Sequence, residues 1–383
     1  MSTFYNPVHL ILGEGAFSEL GTHTARYGSH ALIVTGREAM QRTGRLAQAQ
    51  ELLAAAGVQA TVFTGVRPNP TDLGIREAAA LCRERGCDVV IGLGGGSPMD
   101  TAKGAAVAAT HDRDIDDFLL FGPDGKKATP GPQTLPLVCV TTTAGTSSQL
   151  TPYAIINAEV ARVKTSMAGD AIFPRVAICD PELACSAPPR VTAATGIDVL
   201  CHSIEAAYSR GASPVTDLCV EKAVALVAEF LPRAVADGSD REARRAQTEA
   251  DIFAGYGLSN CGGTIIHALE HPLSAHYPDL THGEGLAALL PAYARLFSPQ
   301  APERFARLAA LLGAEPVAEQ FEPALRQLLG EVGLCLTLRD LGVQADRLDE
   351  IVADTLHYNR GTLDRMPVPV GEAEVRTMLE ESM

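Results

Sequence analysis

Asp198 and His202 stand four residues apart in TGIDVLCHSIEAA (195–207), and His267 and His271 stand four apart in HALEHPLSAHYPDLTHGEG (267–285). On a helix, residues i and i+4 project from one face, so each pair can aim two donor atoms at a common point. Four of the chain's ten histidines, His267, His271, His276 and His282, fall within the second stretch. Pro272 is expected to break the helix that carries His267 and His271, which itself begins upstream in GYGLSNCGGTII. The loop that follows would bring His282 back. An aspartate with histidines from separate helices makes an oxygen–nitrogen donor set with an open position. Such a set suits Fe(II) or Zn(II) and lacks the thiolates of a structural zinc site. His276 has no regular spacing to the others and is expected on a solvent-facing loop.

A second chemistry is written into three short segments of the first half. GLGGGSPMD (92–100) follows a buried apolar run and opens a helical pattern. Its glycines let backbone N–H groups approach a ligand, and the helix N-terminus beyond favours a pyrophosphate. The spacing matches the dinucleotide fingerprint only loosely, and a tight strand-to-helix turn without a ligand would read the same. TTTAGTSSQLT (141–151) places hydroxyls just past another buried run, where open α/β sheets bind their ligands. A loop that satisfies its own backbone is the plainer alternative. VTGRE (34–38) ends a strand with Gly36 and Arg37, where nucleotide-binding sheets hold the ribose or accept a 2′-phosphate.

These groups need a scaffold, and the hydrophobic periodicity supplies it in two halves. Strands are expected at 29–36, 59–66, 88–95, 135–145 and 174–180, alternating with helices at 45–58, 71–85 and from Ser97 onward. That alternation implies a parallel sheet covered on both faces. After the proline-containing stretch 181–189 the pattern becomes helical to the end. The expected division is residues 1–185 as an α/β Rossmann-like domain and 186–383 as an all-α domain. GPDGKKATPGPQ (122–133) reads as an exposed loop.

Length and composition limit the alternatives. A chain of 383 residues is too long for one ordinary core. A net charge of −15 argues against nucleic acid and acidic lipid as partners. No run approaches a membrane span, and no basic leader opens the chain. The nine cysteines, without CxxC pairing, suit reduced thiols in a cytoplasmic protein.

VRPNPT (66–71), GLGGGSPMDTAK (92–103), TTAGTSSQLT (142–151), ATGIDVLCHSIEA (194–206) and the histidine stretch together resemble the iron-containing (group III) alcohol dehydrogenases over essentially the full length. The resemblance implies a dehydroquinate-synthase-like architecture, with NAD(P) on the first domain and a divalent metal held by the second in the cleft between them. By matching position, Asp198, His202, His267 and His282 would be the metal ligands, and His271 would assist proton transfer. Gly95, Gly96, Ser97 and Asp100 match the pyrophosphate and nicotinamide segment. Asn69, Thr142, Thr143, Thr146 and Lys164 match other cofactor contacts.

The implied reaction is reversible hydride transfer between a nicotinamide cofactor and a small primary alcohol/aldehyde pair, with Fe(II) as first choice and Zn(II) also suited. Gly36, with Arg37 beside it, leans the expectation toward NADPH, because no acid there repels a 2′-phosphate. A homodimer or higher homo-oligomer is expected. A metal- and NAD-using lyase or cyclase on the same scaffold and a non-catalytic nucleotide-binding protein are the competing readings. The sequence departs from the family at Ser147 (for Gly), at Gln149 (for Glu) and in RMP (365–367) for NPR, and its interval from His271 to His282 is one residue longer than in the lactaldehyde-reductase-like branch.

Overall fold

The computed structural model describes residues 3–121 and 125–383. The chain forms two compact units, one of residues 6–143 and 148–186, the other of 187–383 together with 144–147 and the stretch through Tyr5. Helices of ten or more residues are numbered below.

The first unit is α/β. Its strands are β1 (His9–Leu12), β2 (His30–Gly36), β3 (Gln59–Val66), β4 (Val89–Gly94), β5 (Leu137–Thr141), β6 (Tyr153–Ala158), β7 (Val163–Ala168) and β8 (Val176–Cys179). Six of them form one sheet in the order β1-β8-β5-β4-β2-β3, and every neighbouring pair is parallel. Helices α1 (Arg45–Ala55), α2 (Asp72–Arg85) and α3 (Gly96–Ala108) supply successive crossovers.

Alternate residues of a strand serve opposite faces. Ala31 and Ile33 pack with Ala49 and Leu53 of α1, whereas Leu32 and Val34 pack with Ile75 and Ala78 of α2 and Ala102 and Ala105 of α3. Both faces are thus covered, as continuous apolar strands require.

Two elements are absent from the sequence reading. β1 is four residues long and lies at the sheet edge with its ends exposed, so it carries little apolar signal. β6 and β7 pair antiparallel as a separate hairpin, turned through Arg162 at φ 54°. Of the expected loop 122–133, residues 122–124 lie outside the described residues. The remainder has no regular structure and mixed exposure, and Lys126 Nζ donates to Ala168 O at 2.7 Å.

The second unit is helical: α4 (Pro189–Ala207), α5 (Pro214–Ala236), α6 (Arg241–Cys261), α7 (Ile265–His276), α8 (His282–Phe297), α9 (Pro302–Leu311), α10 (Phe321–Glu331), α11 (Leu348–Tyr358) and α12 (Glu372–Glu381). One apolar cluster runs through it from Ile197 and Leu200 of α4 to Met378 and Leu379 of α12.

The helix boundaries here correct two expectations. The run from Gly255 to His271 is two helices, because Gly262 adopts φ 70° and Gly263 and Thr264 continue outside helix. Pro272 does not break α7, which continues to His276. The proline forfeits one backbone hydrogen bond, while Leu269 and Leu273 on either side are wholly buried and hold the helix in the core.

No helix among the described residues is long and apolar enough to cross a membrane. All nine cysteines are free thiols, and Cys335 is exposed.

Candidate active site

In the helical unit three imidazoles converge on one carboxylate oxygen. Asp198 Oδ1 lies 3.4 Å from His202 Nε2, 3.3 Å from His267 Nε2 and 3.8 Å from His282 Nε2. Ligand atoms of Asp198, His267 and His282 all fall within 4.8 Å of one another. The His202 and His267 rings stack, with centroids 4.6 Å apart and planes 7° from parallel.

Close helix packing makes this convergence possible. Asp198 and His202 share the inward face of α4, and His267 comes from the first turn of α7. His282 opens α8, where Gly283 follows it. A Cβ at Gly283 would run into the Ala194 carbonyl oxygen, so only glycine lets α8 start this close to α4. Arg190, at the start of α4, pairs with the buried carboxylate of Glu284 through both of its oxygens.

His271 lies one turn beyond His267, its ring centroid 6.3 Å from those of both His267 and His282. His276 is not on a solvent-facing loop. It ends α7 half-buried, with Nε2 2.7 Å from Asp354 Oδ2 and Nδ1 accepting from Arg347 at 3.0 Å. Those partners on and beside α11 account for its burial.

Two buried glutamates, both missed in the sequence reading, stand behind the histidines. Glu205 Oε2 meets His267 Nδ1, and Glu270 Oε2 meets His282 Nδ1. Both carboxylates are fully buried. A faint signal exists in hindsight. Glu205 follows His202 by three and Asp198 by seven, and Glu270 follows His267 by three, so each acid shares a helix face with a donor. His202 differs, because its buried Nδ1 has no hydrogen-bond partner among the described residues.

Charge within the cluster is strongly redistributed. Burial opposes ionisation of Asp198, but the surrounding histidines outweigh it and hold the carboxyl at about 2. Burial pulls His202 down to about 4. Burial also works against a charged His267, yet Glu205 and Asp198 raise it to about 10. The raised His267 marks an excess of buried negative charge around its ring. A divalent cation answers that excess, since buried anionic charge requires a counter-charge and the donors are one oxygen and imidazole nitrogens with no thiolate.

In the α/β unit most of the remaining sequence candidates gather at the carboxyl end of the sheet. From β2 the chain passes to β3 on one side and returns to β4 on the other, which makes the β2/β4 end the topological switch point. Gly36 ends β2, a Cβ there would meet nothing within 4 Å, and Arg37 beside it is exposed. β4 ends at Gly94 with φ 148°, and Gly95 and Gly96 lead into α3, which no side chain caps. Gly95, Gly96 and Ser97 are partly exposed. Thr142 N donates to Gly94 O at 3.0 Å, and a Cβ at Gly95 would lie 3.1 Å from Thr143 Oγ1. Asn69, just past β3, takes φ 56°.

Three candidates stand apart from this group. Asp100 is buried and engaged internally, accepting from Ser148 Oγ at 2.6 Å and Ile155 N at 2.9 Å. Lys164 is buried on β7. Thr146 lies in the segment that belongs to the helical unit. There Ser147 takes φ 53° where the family pattern has glycine. Its N and Oγ both donate to Asp251 Oδ1 at 2.9 Å, which helps hold the left-handed backbone. Lys103, also missed, is wholly buried and donates to the carbonyls of Ser148, Thr151 and Tyr153 at 2.7, 3.0 and 2.6 Å, pinning the loop after β5.

Residues 7–181 match the family described as iron-containing alcohol dehydrogenase, and residues 192–383 match the C-terminal part of the Fe-containing alcohol dehydrogenase family. The chain belongs to the iron-containing alcohol dehydrogenase family.

It is 36% identical over 342 residues to 1,3-propanediol dehydrogenase of Klebsiella pneumoniae, covering 87% of this chain and 86% of that one. It is 32% identical over 356 residues to the NAD-dependent methanol dehydrogenase of Bacillus methanolicus, covering 91% and 92%. Among solved structures, an archaeal halo-thermophilic alcohol dehydrogenase from a Red Sea brine pool superposes with a TM-score of 0.96 at 34% identity, over 100% of this chain and 99% of that one.

As an iron-containing alcohol dehydrogenase the chain is a metal-dependent, NAD(P)-linked oxidoreductase that interconverts alcohols and aldehydes. Membership in this family sets aside the lyase and non-catalytic readings.

Proposed function

We propose that Asp198, His202, His267 and His282 hold Fe(II), with Zn(II) suited to the same donors, and that the chain reduces small aldehydes with NADPH as well as NADH. The observation that carries this reading is the convergence of three Nε2 atoms on Asp198 Oδ1. When bound, the metal supplies Lewis acidity toward the alcohol or aldehyde oxygen, and the nicotinamide supplies or accepts the hydride.

The chain's own residues do the rest. Asp198 contributes the negative charge of the set and the histidines orient around it. His271 takes the hydroxyl proton at a ring nitrogen during oxidation and returns it during reduction. N–H groups of Gly95, Gly96 and Ser97, at the start of α3, would hold the pyrophosphate. Thr142, Thr143, Asn69, Thr146 and Lys164 would complete the cofactor contacts by family position, and Asp100, which matches the same segment, would act as an internal anchor of the loop.

Support for NADPH is local. Gly36 leaves open space and no negative charge at the end of β2, and the Arg37 guanidinium is exposed beside it. Use of NADH as well agrees with the printed name of the methanol dehydrogenase relative. Substrates of few carbons agree with the names of both relatives.

The test is a panel of short aldehydes assayed with NADH and NADPH on chelated protein, before and after adding Fe(II) or Zn(II). Turnover should return only with metal. Full turnover of the chelated protein would overturn the proposal.

A further inference from the structure

His267 and His282 each have a carboxylate behind Nδ1, but the surroundings of Glu205 constrain the chemistry more tightly. Its Oε1 accepts from Ile266 N at 2.7 Å, His267 N at 3.3 Å and Thr264 Oγ1 at 2.9 Å. These backbone donors open α7, whose N-cap residue Thr264 makes no side-chain cap of its own. Glu205 therefore caps α7 with one oxygen and meets the ring of His267, on that same first turn, with the other.

We propose that Glu205 is a positioning residue that fixes the tautomer of His267 for metal binding, so that Nδ1 keeps its proton and Nε2 is the nitrogen whose lone pair is given to the metal beside Asp198. The proposal rests on the reading of Asp198, His202, His267 and His282 as metal ligands. An ionised carboxylate can only accept, so Nδ1 must donate to it. One device thus sets the start of α7, the rotation of the ring and the nitrogen it presents.

The backbone makes the consequence of Glu205→Gln unambiguous. An N–H cannot accept, so the two backbone donors require the amide oxygen on their side. The amide NH2 is then left facing His267 Nδ1, which has to accept from it. The ring proton moves to Nε2, the atom that should bind the metal. The variant keeps the cap and the shape of the side chain while inverting the tautomer.

Co(II) and Zn(II) binding to metal-free wild type, Glu205→Gln and Thr264→Val, measured by calorimetry and by the visible spectrum of the Co(II) form, tests this alongside thermal melting. Glu205→Gln should melt close to wild type and bind either metal about 10- to 100-fold more weakly, with an altered Co(II) spectrum. Thr264→Val removes one cap hydrogen bond without touching the ring and should bind within about twofold of wild type. Unchanged affinity and spectrum in Glu205→Gln would overturn the proposal and leave Glu205 as a helix cap alone.

Failure of wild type to bind either metal would instead overturn the ligand assignment, and the proposal with it. Where Glu205→Gln does not fold, long-range proton–nitrogen NMR of the Zn(II)-loaded wild type decides. Protonated Nδ1 at His267 supports the proposal, and metal or a lone pair at Nδ1 overturns it.

Discussion

The two clusters of candidate residues, one in each unit, are built from opposite materials. In the helical unit, the donor cluster is made of charged and titratable side chains, most of them held by another buried group: Glu205 behind His267, Glu270 behind His282, and Asp198 among three imidazoles. At the carboxyl end of the sheet, the candidate cofactor surface is mostly backbone, with Gly36, Gly94, Gly95 and Gly96 keeping side chains out of the way and no side chain capping α3 among the described residues. A charge-bearing site in a buried place needs a second layer of charge to hold its protonation states. A backbone site needs only a fixed turn and the absence of Cβ atoms. The first should fail abruptly when one member is removed, and the second should degrade by degrees.

The largest expected effect breaks the first cluster outright. His267→Ala removes a donor and leaves Asp198 and Glu205 without the imidazole between them. Metal retention should be lost and turnover should fall about 10³-fold or more, matching several kcal/mol of lost Lewis-acid stabilisation. Elemental analysis together with the aldehyde assay checks both. Melting of the α/β unit and NADPH binding should change little.

His271→Ala separates proton transfer from metal binding within the same helix. Metal content should stay near that of wild type while kcat falls about 10²-fold and its pH profile changes. Loss of metal as complete as in His267→Ala would make His271 a ligand instead.

At the sheet end the changes should be graded. Gly36→Asp places a carboxylate where a Cβ meets no atom within 4 Å, so the fold should tolerate it. The new charge should lower kcat/KM for NADPH about tenfold relative to NADH by like-charge repulsion. Arg37 is exposed, so Arg37→Ala should cost NADPH only about three- to tenfold, and NADH almost nothing. Steady-state kinetics with both cofactors gives each ratio. A wild-type preference for NADH that Gly36→Asp leaves unchanged would show that this strand end does not read the ribose.

The smallest effect concerns the Arg190–Glu284 pair at the helix starts of the helical unit. The Arg190 guanidinium holds the Glu284 carboxyl below the usual glutamate range. A carboxyl depressed in the folded state adds stability above its unfolded value, about 4.3, and loses it as pH falls through the folded value. The Arg190 side chain is 75% exposed, so screening should hold the benefit to about 1 kcal/mol or less. Arg190→Ala should melt slightly below wild type at neutral pH, and the two curves should merge in acid.

How much of this was legible in the sequence follows the same division. The buried parallel strands β2, β4, β5 and β8 announce themselves as apolar runs, the half-buried edge strand β3 by its β-branched residues, and the helical half by its period. β1 and the β6–β7 hairpin do not, because β1 is only four residues long and β7, though mostly buried, has Lys164, Thr165 and Ser166 in its run. Pro272 misled because local propensity places a break where burial of Leu269 and Leu273 keeps the helix whole.

The donors Asp198, His202, His267 and His282 can be nominated from spacing and family pattern, since chemistry restricts them to few residue types. Glu205 and Glu270 could not be, because an acid on a helix is ordinarily a solvated one and only packing shows these two to be buried. Asp100 reads as a ligand contact from its place in the glycine turn, while its hydrogen bonds point into the protein.

The most direct test of the central claim is an anomalous-scattering measurement on crystals loaded with Fe(II) or Zn(II). The account predicts a single strong peak per chain, about 2.0–2.2 Å from Asp198 Oδ1 and from Nε2 of His202, His267 and His282. A peak bound elsewhere, or none at all in crystals of fully active protein, would contradict it.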